Sequence, residues 1–391
     1  MKLGRPLRWL LACVALPVVV VLALRAFVGD VYHVDSRSME PLIHGSETNG
    51  EYVFVTFEDA PRLARFDVVV LRRPHEPVPI VKRVCGLPGE AVQISGGDLF
   101  VDGRRLPPDA PRPAWVTVFD SRRHEFSECF QFDRTRWVQA TEGLAVDARG
   151  DKAHVARFKP RGLDDYVGQD GKRVEGKVYV NDLALELVLR WPAAGGKLSL
   201  RLTEEGDLFG AELEPLTAHR VRMRLLRTVR TNEGERGPEV LGQFEADVEA
   251  GEWHTVRLAN RDNEVRCELD MHVIALASSY SNNTPSLRPA EGGYAHALPR
   301  IEFGGSGLAF DVREVLVQRD VTYFELGHHG VTEPVTLGPD QIFVLGDNSG
   351  ESSDSREWGP LPLHRVLGRP RAVVWPPDSF GTREFTVAPR P

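Results

Sequence analysis

A serine and a lysine lie in segments whose composition suits a nucleophile and its general base. Ser38 lies in a short polar segment directly after an apolar N-terminal stretch. Lys82 follows 44 residues later, in an apolar run that Gly86 closes. A serine hydroxyl needs a base to become a nucleophile, and a lysine amine serves only when burial lowers its pKa from about 10.4. The two residues therefore predict a hydrolase with a Ser/Lys dyad.

Apolar neighbours favour a buried position for Lys82. Ile80 and Val81 precede it, and Val84 follows. Successive side chains of a strand point to opposite faces, so Val81 and Lys82 should lie on different faces. A third segment, residues 346–359, is rich in serine, aspartate and glycine and follows another apolar run. Each segment alone is typical of a linker, a solvated strand or a loop, and only their combination indicates a site.

The amino-acid composition is typical of a folded protein with a net negative charge. The chain has 391 residues, of which 27% are charged and 42% hydrophobic, and its net charge is −8. A net negative charge argues against a protein that binds nucleic acids generally. The 36 glycines and 28 prolines favour many short strands joined by turns over long helices.

Cysteine and histidine usage gives no sign of a metal centre. Cys13 and Cys85 lie in apolar runs, where a cysteine packs as a small hydrophobe. Cys129 and Cys267 could pair in an extracytoplasmic body, which the sequence leaves open. The adjacent histidines 328–329 have no third ligand at a useful spacing. We expect no metal and no cofactor.

The N-terminus predicts a membrane anchor. Residues 1–8 carry three basic side chains, and residues 9–28 form an apolar stretch with one arginine near its end. Twenty residues of helix span a hydrocarbon core of about 30 Å. Basic residues before the span place residues 1–8 in the cytoplasm and the remaining chain outside. A cleavable signal peptide has a similar pattern, but no clean small-residue cleavage site follows.

The rest of the chain predicts a mainly β fold in two parts. Short apolar runs bounded by turn residues predict strands at 51–55, 65–71, 79–85, 92–94, 99–101 and 341–345. Alternating strands also fill the middle of the chain, at 221–225, 253–258, 265–270, 300–305 and 312–317. We expect a β core at 29–110 and 323–391 that carries Ser38 and Lys82, interrupted at 111–322 by a β-sandwich similar to concanavalin-like or laminin-G-like jelly rolls. No ligand of that sandwich can be inferred.

Three motifs in order resemble those of the type I signal peptidases, membrane-anchored Ser/Lys endopeptidases. The family's Ser-x-Ser-Met-x-Pro box matches residues 36–41. Its Lys-Arg-x-x-Gly-x-Pro-Gly box matches residues 82–89, and its Gly-Asp-Asn-x-x-x-Ser-x-Asp-Ser-Arg-x-Trp-Gly box matches residues 346–359. The resemblance implies an enzyme that removes signal peptides from exported preproteins.

The resemblance also implies a role for particular residues. Ser38 would be the nucleophile and Lys82 the base, with the Ser36 hydroxyl and the Ser38 N–H as the oxyanion hole. Ser352 would hydrogen-bond Lys82. The supporting loop would be held by Asp347, Asp354 and Arg356, and shallow pockets for small substrate side chains would be lined by Val34, Met39, Ile43, Ile80 and Val81.

Some positions depart from the family pattern. Arg37 stands where glycine is usual, and the others are Phe66, Glu90, Ser349 and Glu351. None of them removes a proposed catalytic group. Arg37 adds bulk and charge beside the nucleophile.

The implied partners are signal-peptide-bearing preproteins, the lipid bilayer of the cytoplasmic membrane and the secretion translocon. Two other functions stay open: a Ser/Lys envelope peptidase of narrow specificity, and an anchored glycan- or protein-binding module on an inactive peptidase scaffold. A Ser-x-x-Lys acyl enzyme is excluded, because no lysine lies three residues after Ser38. A Ser-His-Asp triad that uses His33 has no supporting pattern.

Overall fold

The structure is a computed structural model. It describes residues 28–383 and 385, apart from 58–62, 74–75, 77, 108–109, 160–165, 169–170, 177–179, 181, 193, 205–206, 232–233, 271–275 and 280–300. The chain divides into two compact units. The core unit comprises residues up to 95, 99–113 and 323–391, and the inserted unit comprises 96–98 and 114–322.

The strands follow one another through both units. Seven precede the main part of the inserted unit: β1 (Gly29–His33), β2 (Tyr52–Phe57), β3 (Val68–Arg72), β4 (Pro79–Gly86), β5 (Ala91–Ser95), β6 (Asp98–Val101) and β7 (Arg104–Arg105). Seventeen follow: β8 (Val116–Asp120), β9 (Phe130–Gln131), β10 (Trp137–Ala140), β11 (Gly143–Ala148), β12 (His154–Phe158), β13 (Tyr166–Val167), β14 (Arg173–Val174), β15 (Leu183–Arg190), β16 (Lys197–Glu204), β17 (Asp207–Thr217), β18 (Arg220–Thr231), β19 (Gly234–Asp247), β20 (His254–Arg261), β21 (Glu264–Leu269), β22 (Leu276–Ser279), β23 (Ile301–Ser306) and β24 (Leu308–Arg319). The last four are β25 (Val335–Thr336), β26 (Gln341–Leu345), β27 (Leu361–Pro362) and β28 (Val366–Trp375). The fold is mainly β, as the sequence predicted.

Helices are short in the described residues. Two single α-turns cover Phe126–Cys129 and Ser355–Trp358, and 3₁₀ turns cover Arg37–Met39, Ser349–Glu351, Leu363–Arg365 and Pro377–Ser379. Within the part of the chain that the structure describes, no helix has the length and apolar character that crossing a bilayer requires. The predicted transmembrane helix at 9–28 lies outside the described residues except for its last residue, Val28.

A seven-stranded antiparallel sheet organises the core unit. Its order is β1-β2-β28-β3-β4-β26-β27, so β4 lies between β3 and β26. Apolar side chains pack on both faces of β3: Val68 and Val70 join one cluster, whereas Val69 joins another. A strand covered on both faces is continuously apolar, which explains the unbroken run of valines. Lys82 is the register partner of Val69.

Two sheets share the hydrophobic core of the inserted unit. One contains eight strands, in the order β10-β11-β24-β15-β20-β21-β22 with β8 also paired to β24. The other contains seven, in the order β19-β18-β17-β16-β23-β12-β9. Alternate residues of both sheets point inward, as Leu185 and Leu187 do from β15 and Met223 does from β18. The inserted unit is therefore a β-sandwich.

Cys129 and Cys267 are both free and buried. The disulfide that the sequence left open is therefore absent. Cys129 ends the one-turn helix, and its Sγ lies 3.9 Å from an Arg173 guanidinium nitrogen. The Cys267 Sγ lies 3.3 Å from the Met223 Sδ on the opposite sheet. Each thiol has its own packing partner and behaves as a small hydrophobe.

The first and last strands of the sandwich pair with each other. The register of β8 with β24 joins Val116 to Arg319 and Asp120 to Leu316. The inserted unit therefore begins and ends on neighbouring strands of one sheet.

Candidate active site

Ser38 lies in a 3₁₀ turn that buried apolar side chains hold in place. The Glu40 N–H donates to the Arg37 carbonyl at 3.1 Å, which closes the turn, and the Ile43 N–H donates to the Met39 carbonyl at 3.1 Å. Met39 and Ile43 are fully buried, and Ser38 is 4% exposed. Because Pro41 follows immediately, the turn does not continue as a helix. The nucleophile candidate therefore sits on a short, well-anchored turn.

The structure brings the two residues of the predicted dyad into contact. The Lys82 Nζ donates to the Ser38 Oγ at 2.6 Å and to the Val81 carbonyl at 3.1 Å. Lys82 is 2% exposed. Burial lowers the pKa of Lys82 to about 8, although the carboxylate of Asp354 opposes this effect. A lysine with this pKa is partly neutral near neutral pH, which is the state in which an amine accepts a proton.

Ser36 lies beside the dyad, at the entrance to the turn. Its Oγ is 3.3 Å from the Ser38 Oγ. Ser36 precedes the 3₁₀ turn in an extended conformation, with φ −120° and ψ 150°. Its hydroxyl is thus within reach of an oxygen that binds next to Ser38.

A buried ion pair fixes the third segment. The Arg356 guanidinium binds the Asp354 carboxylate through Nε and a terminal nitrogen, both at 2.8 Å. It also donates to the Phe324 carbonyl and to the Ser349 hydroxyl and carbonyl, at 2.7–2.8 Å. Asp354 is 0% exposed and Arg356 is 1% exposed. A bidentate ion pair of this kind fixes the orientation of the loop and neutralises both charges.

Asp347 has a different partner, which the sequence analysis did not identify. Its carboxylate binds Arg83 through two hydrogen bonds, of 2.6 and 2.5 Å. Arg83 also donates to the Phe66 carbonyl at 2.7 Å. The pair joins β4, directly after Lys82, to the segment after β26. The only signal for it in the sequence was the arginine that follows Lys82 in the second motif.

Ser352 lies close to the 3₁₀ turn that contains Ser38, here called the nucleophile turn. The Ser352 hydroxyl donates to the Asp354 carboxylate at 2.8 Å. In this structure the hydrogen bonds of Lys82 go to Ser38 and Val81, so the expected bond from Lys82 to Ser352 is not formed. Gly346 separates Ser352 from the turn. A Cβ at this glycine would lie 2.2 Å from the Ser352 Oγ and 2.5 Å from the Ser38 carbonyl oxygen. Only glycine permits this close approach.

Asn348 binds the backbone of the nucleophile turn. Its N–H donates to the Ser38 carbonyl at 3.0 Å, and its Nδ2 donates to the Arg37 carbonyl at 3.1 Å. The sequence analysis assigned Asn348 no role, although it directly follows Asp347 in the third motif. The asparagine ties two sequence-distant parts of the site together.

The residues expected to line the substrate pockets are mostly core residues in this structure. Val34, Met39, Ile43 and Val81 pack in one hydrophobic cluster. Ile80 is partly buried and packs against a different cluster. Of these four residues of the first cluster, Val34 and Val81 are 5% and 8% exposed, and Met39 and Ile43 are fully buried.

Two of the residues that depart from the family pattern make defined local hydrogen bonds. Phe66 has a φ of +70°, the left-handed region that favours glycine. Its N–H donates to the Val84 carbonyl at 2.6 Å, and its side chain is buried. Glu90 pairs with Arg65 at 2.6 Å and accepts the Leu87 N–H at 2.7 Å. The core unit thus accommodates both residues.

The described part of the inserted unit holds one group of acidic side chains close enough to share a cation. Oxygens of Asp98, Asp182 and Asp262 lie within 4.8 Å of one another. Burial, followed by the neighbouring carboxylates, raises the pKa of Asp182. Asp182 is therefore easier to protonate than an exposed aspartate.

Comparison with known proteins identifies the family. Residues 7–141 and 312–375, just over half of the chain, match the family described as signal peptidase, peptidase S26. The chain belongs to this family, as the three motifs predicted. The match covers most of the core unit, extends into both ends of the inserted unit and includes Ser38 and Lys82.

Several named relatives are similar over part of the chain. The signal peptidase I of Bacillus licheniformis is 33% identical over 98 residues, which cover 25% of this chain and 51% of the relative. The signal peptidase I of Leptolyngbya laminosa is 28% identical over 154 residues, or 33% of this chain and 73% of the relative. The thylakoidal processing peptidase 1 of Arabidopsis thaliana is 47% identical over 46 residues, covering 12% of this chain and 14% of that protein. The chain thus spans about half or less of the length of the Bacillus licheniformis and Arabidopsis thaliana relatives.

Solved structures match with low scores. The laminarinase from Rhodothermus marinus aligns at a TM-score of 0.33 and 13% identity, covering 54% of this chain and 99% of that one. The exoplasmic/lumenal domain of VIP36 aligns at a TM-score of 0.35 and 9% identity, covering 57% of this chain and 99% of that one. Scores this low carry no argument, so the sandwich architecture of the inserted unit rests on its own strand pairing.

Proposed function

We propose that this protein is a serine endopeptidase that removes N-terminal signal peptides from exported preproteins, with Ser38 as nucleophile and Lys82 as general base. The observation that carries the proposal is the 2.6 Å contact between the Lys82 Nζ and the Ser38 Oγ. It is formed by a lysine that is 2% exposed and whose pKa burial lowers to about 8. Membership of the signal peptidase family supports the substrate class.

Acylation follows from this geometry. Neutral Lys82 accepts the hydroxyl proton as the Ser38 Oγ attacks the scissile carbonyl carbon. The Ser36 hydroxyl and the Ser38 N–H stabilise the oxygen that becomes negative. The protonated Lys82 then gives its proton to the leaving amine as the peptide bond breaks, which leaves an ester on Ser38.

Deacylation repeats these steps with water. Lys82, neutral again, takes a proton from the attacking water, and the ester oxygen of Ser38 leaves and recovers a proton from Lys82. The proton transfers of both halves use Lys82, and water is the co-reactant of the second half. The free acid and the free amine are the two products.

The supporting residues hold Lys82 in position. Asp354, itself bound by Arg356, accepts the Ser352 hydroxyl and the Gly346 N–H, at 2.8 and 3.1 Å. We assign Ser352 to the orientation of Lys82, which requires a small shift of its hydroxyl from Asp354. The Asp347–Arg83 pair fixes the strand residue next to Lys82.

The substrate pockets and the location of the enzyme complete the proposal. Small side chains at positions −1 and −3 of the substrate would pack against Val34 and Val81, which retain some exposure in the apolar cluster. Met39, Ile43 and Ile80 would form the next layer. Residues 9–28 would anchor the body to the outer face of the cytoplasmic membrane, where preproteins emerge from the translocon.

Cleavage of a preprotein by the full chain in detergent micelles tests the proposal. We expect S38A and K82A each to abolish cleavage while the chain stays folded. S95A and K152A are matched controls, since both residues are exposed and lie outside the site, and both variants should cleave normally. Unchanged cleavage by S38A or K82A would overturn the proposal.

A further inference from the structure

Arg37 places an arginine side chain one residue from the nucleophile, at a position where the family pattern carries glycine. Its side chain is 43% exposed, whereas the neighbouring Ser38 is 4% exposed. The arginine is therefore presented at the surface beside the dyad. A glycine at this position would present no charge there.

The Arg37 side chain is held in place by a buried carboxylate. Its Nε donates to the Glu40 Oε2 at 3.0 Å, and the Glu40 side chain is 4% exposed. The other carboxylate oxygen of Glu40 lies 2.8 Å from the His44 Nδ1. A guanidinium has five N–H donors in a fixed plane, so the bond through Nε to a buried carboxylate fixes that plane, and 43% of the side chain stays exposed.

The charge of Arg37 does not suppress the base. The charges that act most strongly on Lys82 are those of Asp354, Arg73, Asp347 and Arg356. Arg37 is not among these four, although it directly precedes Ser38 in the chain. A cation near Lys82 would favour the neutral amine, so the guanidinium can act on a bound substrate without suppressing the base.

We propose that Arg37 is a specificity-determining residue that favours substrates with an aspartate or glutamate close to the scissile bond. This inference rests on the proposed peptidase function. Neighbouring Cα atoms are about 3.8 Å apart, and an extended substrate advances about 3.4 Å per residue. A long side chain next to Ser38 therefore reaches about two residues on either side of the scissile bond. A carboxylate there would form a charge-assisted hydrogen bond with the guanidinium.

The test compares matched peptides that span one cleavage site. Each pair carries glutamate or glutamine at one position from two residues before the scissile bond to two residues after it. The full chain should cleave the glutamate peptide with a kcat/KM about two- to five-fold higher at one or more of these positions, the range of an exposed charge pair. The ratio should approach one at high salt, because salt screens exposed charges.

Variants separate this role from the support of the turn. Removal of Arg37 alone would leave the buried Glu40 with one partner fewer, so the diagnostic variant is R37Q/E40Q, which removes both charges. We expect its glutamate-to-glutamine ratio to fall to one. R37K should retain a preference, since it keeps the charge. R149Q is the control for net charge, because Arg149 lies in the inserted unit with a side chain that is 73% exposed, and it should keep the wild-type ratio.

The outcomes distinguish the inference from the proposed function. Equal cleavage of both members of every pair by the wild type would overturn the inference and leave the peptidase function intact. A preference that persists in R37Q/E40Q would also overturn it. Failure of the wild type to cleave any peptide or preprotein would refute the peptidase function and the inference with it.

Discussion

Two buried cations, one in each unit, have opposite kinds of partner. In the core unit, Lys82 is bound to a serine hydroxyl and a backbone carbonyl. In the inserted unit, the Arg261 side chain is 12% exposed and binds the Asp320 carboxylate through Nε at 2.8 Å and through a second nitrogen. Burial lowers the pKa of Lys82 to about 8. Burial also acts to lower the pKa of Arg261, but Asp320 outweighs it and the pKa is raised.

The two cations differ in what their charge does: one stabilises local geometry, and the other can take part in proton transfer. A buried cation that is paired with a carboxylate stays charged and fixes local geometry. A buried cation that is bonded to a neutral hydroxyl loses its proton more easily, which a structural role does not require. The core unit also contains structural pairs of the first kind, Arg83–Asp347 and Arg356–Asp354. Lys82 lies among them without a carboxylate bound to its amine.

The largest expected effect is that of K82M. We expect a loss of activity on the order of 10⁴-fold, because the general base is removed. The folded pKa of about 8 lies below the ordinary 10.5, so the protonated lysine destabilises the fold below pH 8. That penalty, up to about 3 kcal/mol, is relieved as the pH rises from about 8 to above 10.5. K82M should therefore unfold at a higher denaturant concentration than the wild type at pH 7.

Whether K82M is more or less stable than the wild type tests the interpretation of Lys82 as a cation that loses its proton easily. The gain should disappear when the unfolding titration is repeated above the ordinary lysine pKa. A K82M variant that is less stable than the wild type at pH 7 would show that Lys82 is a structural cation like Arg261.

The next largest effect is that of R261M. This substitution leaves Asp320 without the guanidinium in a largely buried place, and we expect the inserted unit to lose about 3–5 kcal/mol of unfolding free energy. Hydrogen exchange of the strands around β20 measures that loss. The double variant R261M/D320N should recover part of it, because it removes the unpaired charge. A change below 1 kcal/mol in R261M would contradict the structural assignment.

G346A tests the approach of the third segment to the nucleophile turn. The added Cβ would lie 2.2 Å from the Ser352 Oγ and 2.5 Å from the Ser38 carbonyl oxygen, so one of them must move. A displacement of about 1 Å at the dyad lowers kcat on the order of 10²-fold. We expect kcat to fall more than KM rises. G89A is a useful control, since no atom lies within 4 Å of its added Cβ, although its φ of +85° makes a small loss of stability expected.

The pH dependence should follow Lys82. Only the neutral amine accepts the serine proton, so kcat/KM should rise about tenfold per pH unit below pH 8 and level off above it. The measurement is a rate profile from pH 6 to 10 on a peptide without titratable side chains. A midpoint near 6.5 would indicate a histidine instead.

The smallest expected effect is that of an exposed pair. Arg222 binds Glu245 at 2.9 Å across β18 and β19, and each side chain is 32% exposed. Exposed pairs contribute about 0–1 kcal/mol. R222A should therefore leave the denaturation midpoint and the cleavage rate close to those of the wild type. A larger loss would show that surface charges of the inserted unit matter as much as its buried pair.

The sequence indicated that Ser38 and Lys82 belong to one site, and the contact between them is observed. Ser38 lies in a turn set by the following proline, and Lys82 lies in an apolar strand, so each has a recognisable neighbourhood. Strand β26 was predicted at its observed bounds for the same reason. Family membership followed from the order of the motifs.

Other features could not be predicted, because they depend on contacts between distant parts of the chain. Arg83 and Asp347 are 264 residues apart, and no local pattern says that they pair. The failure of Cys129 and Cys267 to meet depends on how the sandwich folds around Met223. The hydrogen bond of Ser352 depends on atomic positions that a motif does not fix, since Asp354 and Lys82 are both possible partners.

The pairing of β8 with β24 has a consequence for how the two units are joined. Neighbouring strands lie about 4.8 Å apart, so the inserted unit leaves its sandwich almost where it enters. A short turn spans such a distance, and closing a loop with adjacent ends adds little entropic penalty to the surrounding fold. We therefore expect that a short turn joining β8 to β24 could replace the rest of the inserted unit while the core unit keeps its own strand order.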